Sequence, residues 1–124
     1  VEAILAQRLV RRICNHCREE VEQSVEMIAQ LDLTGEDLGE RKFYRGSGCD
    51  HCNNTGYRGR VGLFELMIMN DALREMIMSE ASTDELRTRA EEFGMVTLRE
   101  AGMHTMWEGI TTAEEVIRET IVDV

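Results

Sequence analysis

The four cysteines of this chain stand in two pairs. ICNHC carries Cys14 and Cys17, GCDHC carries Cys49 and Cys52, and 31 residues separate the pairs. Thiolates suit a borderline-soft ion, and a closed structural zinc site takes four ligands in a tetrahedron. A C-x-x-C turn sets two sulfurs on one side of an ion, where backbone N–H groups can support them. Two such turns close the site, and the chain has no fifth cysteine. The spacing therefore predicts one zinc ion per chain, held by Cys14, Cys17, Cys49 and Cys52. A redox C-x-x-C of the thioredoxin kind needs one pair near a βαβ unit, not two. An iron–sulfur cluster fits four cysteines, but the paired knuckles favour zinc. Two disulfides require an oxidising compartment, which nothing in the sequence suggests.

Other chemistry-bearing residues are weaker signals. His16 and His51 each precede the second cysteine of a pair. With the tetrahedron already filled, they read as surface or as supports of the ligands. His104 has Glu100 and Glu108 four residues to either side, the pattern of ordinary helix-face pairing. The eight methionines read as core filling. No G-x-x-x-x-G-K-[ST] loop, G-x-S-x-G or H-E-x-x-H occurs, and the one lysine, Lys42, sits in RKFYR. The acidic pairs Glu91-Glu92 and Glu114-Glu115 read as solvated helix faces. Four thiolates leave no open coordination position, so the expected site is not catalytic.

The elements that must position these residues follow from composition and pattern. A chain of 124 residues is one domain with small satellites. It has no apolar run long enough to span a membrane, and its arginine-interrupted start is wrong for a secretory signal. It reads as cytosolic, where thiols stay reduced. The net charge of −10 is uneven. Residues 1–60 carry 9 basic and 10 acidic side chains, residues 61–124 carry 5 and 14. The acidic second half argues against nucleic-acid binding. Arg8, Arg11, Arg12, Arg18, Arg58 and Arg60 collect near the cysteines, as solvated or internally paired surface or as a face for phosphate or an acidic partner.

Along the chain, Ile4, Leu5, Leu9 and Ile13 recur at helical spacing, so residues 1–13 read as a helix. It opens mid-pattern at Val1, as an interior piece of a longer chain would. Residues 24–31 read as a short amphipathic helix, 34–40 as a loop, 41–45 as a short strand and 60–69 as a buried strand. Capping boxes begin at Ser82, Thr97 and Thr112, with Glu85, Glu100 and Glu115 completing them. Asp71 reads as the cap of another helix, through Met78. The expected fold is α+β: a tetracysteine module with short strands over 14–60, then a strand and a bundle of four short helices over 61–124, the last ending about Ile121.

Four segments carry a family resemblance. AQRLVRRIC at 6–14, GCDHCNNTGYRGRVGLFE at 48–65, MVTLREAG at 95–102 and EGITTAEEV at 108–116 closely resemble, in order, the C-terminal part of the type II secretion and type IV pilus assembly ATPases. Asn15 stands where that family often has proline; proline is not a ligand, so the metal reading is unaffected. The resemblance implies a cytoplasmic parent ATPase, a hexameric ring peripheral to the inner membrane, with residues 1–13 leaving its core. ATP and Mg²⁺ would bind in the upstream part. Partners would be the rest of the ATPase, its ring neighbours and an inner-membrane platform protein, with no nucleic acid and no membrane insertion. The tetracysteine segment would be structural or a docking surface, and this piece alone would lack catalysis. Tyr57, Arg58, Gly59 and Arg60 would serve turn geometry or a partner contact. The alternative is a free-standing zinc-ribbon adaptor that binds protein or nucleic acid.

Overall fold

A computed structural model describes residues 2–34 and 38–120. Its frame is a two-stranded antiparallel ribbon, β1 (Glu2–Ile13) against β4 (Tyr57–Ile68). Between these strands lie β2 (Arg18–Val21), α1 (Val25–Gln30) and β3 (Phe43–Gly46), and β2 pairs antiparallel with β3. Four helices follow: α2 (Asp71–Met78), α3 (Thr83–Glu92), α4 (Leu98–Trp107) and α5 (Ala113–Thr120). The α+β class is as expected. Residues 35–37 of the expected loop and the helix end at Ile121 lie outside the described residues. Among the described residues no helix is long and apolar enough to cross a membrane.

The helix expected over residues 1–13 is a strand. Two register shifts explain the misreading, one between Ile4 and Ala6 and one between Arg11 and Ile13. Each bulge adds a residue to one strand and breaks the period of two. The first adds Leu5 to β1, so that Ile4 and Leu9 pair with Leu66 and Gly62 on one ladder face although they are five residues apart; the second puts the extra residue on β4. The partner strand, apolar and rich in β-branched and aromatic residues, supplies the ladder that overrides the local pattern.

The helices start where side-chain caps allow. Ser82 accepts from the Glu85 N–H, Thr97 from the Glu100 N–H and Thr112 from the Glu115 N–H. Such caps contribute about 1 kcal/mol each. Asn70, not Asp71, caps α2: its side chain accepts from the Leu73 N–H at 2.9 Å, and Asp71 is the first helical residue.

The helices pack as two pairs, α2 on α3 and α4 on α5. Met67, Leu73, Ala90 and Met95 form one buried cluster. Leu31, Phe43, Met106, Ala113 and Val116 form another, which joins the segment between the cysteine pairs to α4 and α5. Methionine fills both clusters, while Met78 is exposed. Leu63 lies beneath α4, where a Cβ on Gly102 would meet its Cδ1 at 3.4 Å. Leu63 is fully buried. Leu63→Ala should therefore lower unfolding free energy by about 2–5 kcal/mol. A denaturant titration checks this, with a shifted midpoint and an unchanged slope expected.

Charged groups tie the ribbon to the helices. Glu65, buried on β4, takes the Arg87 Nε at 2.7 Å and the Leu98 N–H at 3.3 Å. Glu115 corrects the expectation of a solvated face: it is 1% exposed and receives Arg11 from β1 and Arg118 from its own helix. Its carboxylate thus serves β1 rather than a reciprocal capping box. Glu91, Glu92 and Glu114 are exposed, as expected.

Candidate metal centre

Cys14 and Cys17 follow directly on β1, and Cys49 and Cys52 follow β3. Each pair folds as a tight turn: the Cys17 N–H meets the Cys14 carbonyl at 3.4 Å, and the Cys52 N–H meets the Cys49 carbonyl at 3.3 Å. The second turn is a short 3₁₀ stretch, Asp50–Cys52, followed by Asn53 and Asn54 at positive φ. Asparagine tolerates this left-handed region better than most residues. The Asn54 N–H then returns to the Cys49 carbonyl at 2.9 Å.

Two glycines bring the turns together. The Gly56 carbonyl accepts from the Cys14 N–H at 2.9 Å, and the Gly56 N–H donates to the Cys52 Sγ at 3.2 Å. Gly46 lies so close that a Cβ on it would stand 2.2 Å from the Gly56 oxygen. No side chain fits there. The Gly48 N–H donates to the Cys17 Sγ at 3.4 Å, and the Cys49 N–H to the Cys52 Sγ at 3.3 Å.

All four sulfurs lie within 4.8 Å of one another, a set that could hold a metal ion. Cys14–Cys49 is 3.7 Å, Cys17–Cys52 3.8 Å and Cys49–Cys52 3.7 Å. A tetrahedron of sulfurs about 2.3 Å from a central zinc has edges of about 3.8 Å. A disulfide needs about 2.05 Å, and all four cysteines are free. The donor set therefore fits a four-thiolate metal. Cys14 and Cys52 are buried, and Cys17 and Cys49 half-buried.

Burial pushes the thiols of Cys17 and Cys49 up, Cys49 to about 11. Burial also opposes ionisation of Cys52. The N–H groups of Cys49 and Gly56, with the thiols of Cys49 and Cys17, outweigh it and bring Cys52 down to about 6. One sulfur is thus prepared as a thiolate by the backbone around it.

The histidines, expected to be surface or supports, stack on each other. The rings of His16 and His51 lie 3.7 Å apart at 17°. The signal was present in the sequence: both occupy the same position of their knuckle, so joining the sulfurs joins the rings. His104 pairs with Glu108 at 3.0 Å on an exposed helix face, far from the cysteines in sequence.

The arginines divide. Arg11 is spent on Glu115 and lies 4.0 Å over the Tyr57 ring. Arg18 donates to the Gly109 carbonyl at 3.3 Å. Arg8, Arg12, Arg58 and Arg60 are exposed. Tyr57 to Arg60 lie in strand β4 rather than in a turn; Gly59 takes φ +82° at the register shift between Arg60 and Tyr57, and the Tyr57 hydroxyl meets the Thr112 hydroxyl at 2.9 Å.

The ribbon ends in a four-thiol knuckle that could hold a metal ion, and comparison with known proteins gives the class of the chain. The family described as type II/IV secretion system protein matches residues 1–118, and the chain belongs to that family. It is 42% identical over 118 residues to the type IV pilus assembly ATPase PilB of Thermus thermophilus, covering 95% of this chain and 13% of that protein. It is 40% identical over 120 residues to PilB of Pseudomonas aeruginosa, covering 97% and 21%. It is 38% identical over 117 residues to the type II secretion system ATPase E of Vibrio cholerae, covering 94% and 23%. The chain thus spans less than a quarter of the length of each of these relatives.

Proposed function

We propose that this chain is the C-terminal zinc-binding region of a cytoplasmic ATPase that powers type II secretion or type IV pilus assembly. The observation that carries the reading is the four-thiol set, spaced for a tetrahedral ion, in a chain whose similarity to such ATPases extends over nearly its whole length. Cys14, Cys17, Cys49 and Cys52 hold the ion. Bound zinc supplies a closed structural coordination shell with no position for a reacting water. The residues around it fix the two turns and present a surface for docking. ATP and Mg²⁺ belong to the rest of the parent protein, which stands at the inner membrane with its ring neighbours and a platform protein.

The native protein tests this reading. It should be isolated from its source cells with an antibody to this chain, weighed intact and mapped by peptide sequencing. A much longer chain with G-x-x-x-x-G-K-[ST] upstream is the expected result. A native chain that starts near Val1 would contradict it and leave a free-standing zinc adaptor.

The metal affinity should depend on pH. Cys17 and Cys49 have raised values and keep their protons at neutral pH. An incoming ion must displace those protons, so affinity rises with pH. Cys52, at about 6, adds a further loss once the pH falls into that range. Competition against a chelator at about pH 8, 7 and 6 should show steadily weaker binding. A flat profile contradicts the thiol assignment.

A further inference from the structure

Two stretches of this chain hold arginines and no acid. Residues 3–18 carry Arg8, Arg11, Arg12 and Arg18, and residues 51–64 carry Arg58 and Arg60, in a chain of net charge −10. The β1–β4 ribbon lays the two stretches side by side. Three of the arginines are spent within the chain: Arg8 on the Gln7 carbonyl, Arg11 on Glu115 and Arg18 on the Gly109 carbonyl. Arg12, Arg58 and Arg60 are exposed, and among the described residues none of them has a carboxylate partner. They sit on neighbouring rungs. The register runs from Arg11 opposite Arg60 to Ile13 opposite Tyr57, so Arg12 lies across from Arg58 and Gly59. A Cβ on Gly59 would stand 3.7 Å from the Arg12 Cδ. Spacings of about 3.4 Å along a strand and about 4.8 Å across the ladder keep the three backbones within about 10 Å of one another. Like charges held this close repel, and a bound anion removes that cost.

We infer that Arg12, Arg58 and Arg60 form a docking patch for a short acidic segment of another protein. This deepens the docking role proposed for the cysteine region and rests on that reading. Charge complementarity selects the occupant. A guanidinium fork meets a carboxylate with two parallel hydrogen bonds, so three of them match a segment with several Asp or Glu side chains. A single small anion is held weakly on an open, water-exposed strand. An extended polyanion, such as a bilayer or a nucleic-acid duplex, would also meet the helical half of the chain. Residues 61–124 carry 5 basic and 14 acidic side chains, which repel it. A short segment touches the patch alone.

The test uses the full-length protein with its zinc and a fluorescein-labelled oligo-glutamate peptide. Binding, read by anisotropy, should weaken as salt rises. Arg58→Gln combined with Arg60→Gln should weaken it about tenfold, with zinc content and melting curve unchanged. Arg74→Gln combined with Arg89→Gln removes the same charge from exposed arginines of α2 and α3 and should leave binding as it was. No binding to the unaltered protein overturns the inference; arginines covered by the rest of the parent chain or by a second copy would give that result. Equal losses in the two double variants also overturn it. Phosphatidylglycerol vesicles or inorganic phosphate bound through Arg58 and Arg60 more tightly than the peptide overturn it in favour of a phosphate ligand. The two readings fail separately: the length of the native chain decides the ATPase reading, and this titration decides the patch.

Discussion

A Cys49→Ser chain is expected to lose its metal ion and the order of both cysteine turns, while the β1–β4 ribbon and the α2–α3 pair persist. Cys49 lies 3.7 Å from both Cys14 and Cys52, so its sulfur joins the second turn to the first. A serine hydroxyl keeps its proton and is no substitute for a thiolate. Structural zinc contributes folding free energy on the order of 10 kcal/mol. That is comparable with the whole stability of a domain, about 5–15 kcal/mol. The damage should spread unevenly. Leu31 and Phe43, from the segment the metal staples, share a cluster with Met106 and Val116, so the α4–α5 face should loosen. Met67, Leu73, Ala90 and Met95 form a separate cluster and should hold. Hydrogen exchange read by peptide checks this pattern. Unchanged metal content together with an unchanged melting curve would refute the assignment of Cys49.

A Gly46→Ala chain should bind the metal about 10–100-fold more weakly without losing any ligand. Its Cβ would meet the oxygen, Cα and carbonyl carbon of Gly56 at 2.2, 2.6 and 2.7 Å. All three are backbone atoms, so no rotamer relieves the clash. Gly56 holds Cys52 through its N–H and Cys14 through its carbonyl, and displacing it disturbs one ligand of each turn. Gly94→Ala is the control. Gly94 also has positive φ, but a Cβ there meets nothing within 4 Å and it ends α3, outside the metal centre. Gly94→Ala should lower stability and leave affinity unchanged. A chelator competition that finds the two variants alike would contradict the role given to the Gly46–Gly56 contact.

What the sequence revealed and what it hid divide along physical lines. The cysteines were legible because ligand count and coordination number match without any knowledge of the fold. Ser82, Thr97 and Thr112 were legible because capping is local, decided within one turn of helix. Strand β1 was hidden because the extra residue Leu5 puts Ile4 and Leu9 on one ladder face although they are five residues apart, which breaks the period of two. Its true periodicity appears only with β4 beside it. Glu115 was misjudged for a related reason: its partner Arg11 is 104 residues away in sequence. No local pattern distinguishes a glutamate that will be buried against such a partner from its exposed neighbour Glu114. The split of the helices into two pairs is equally non-local, set by which side chains of the ribbon and of α1 and β3 they meet.

X-ray absorption at the zinc edge, on protein purified without added metal or chelator, tests the central claim most directly. The account predicts one zinc per chain with four sulfur neighbours at about 2.3 Å. Nitrogen or oxygen in the first coordination shell, such as a ring nitrogen of His16 or His51, would contradict it. So would a chain that carries no zinc and has its cysteines in disulfides.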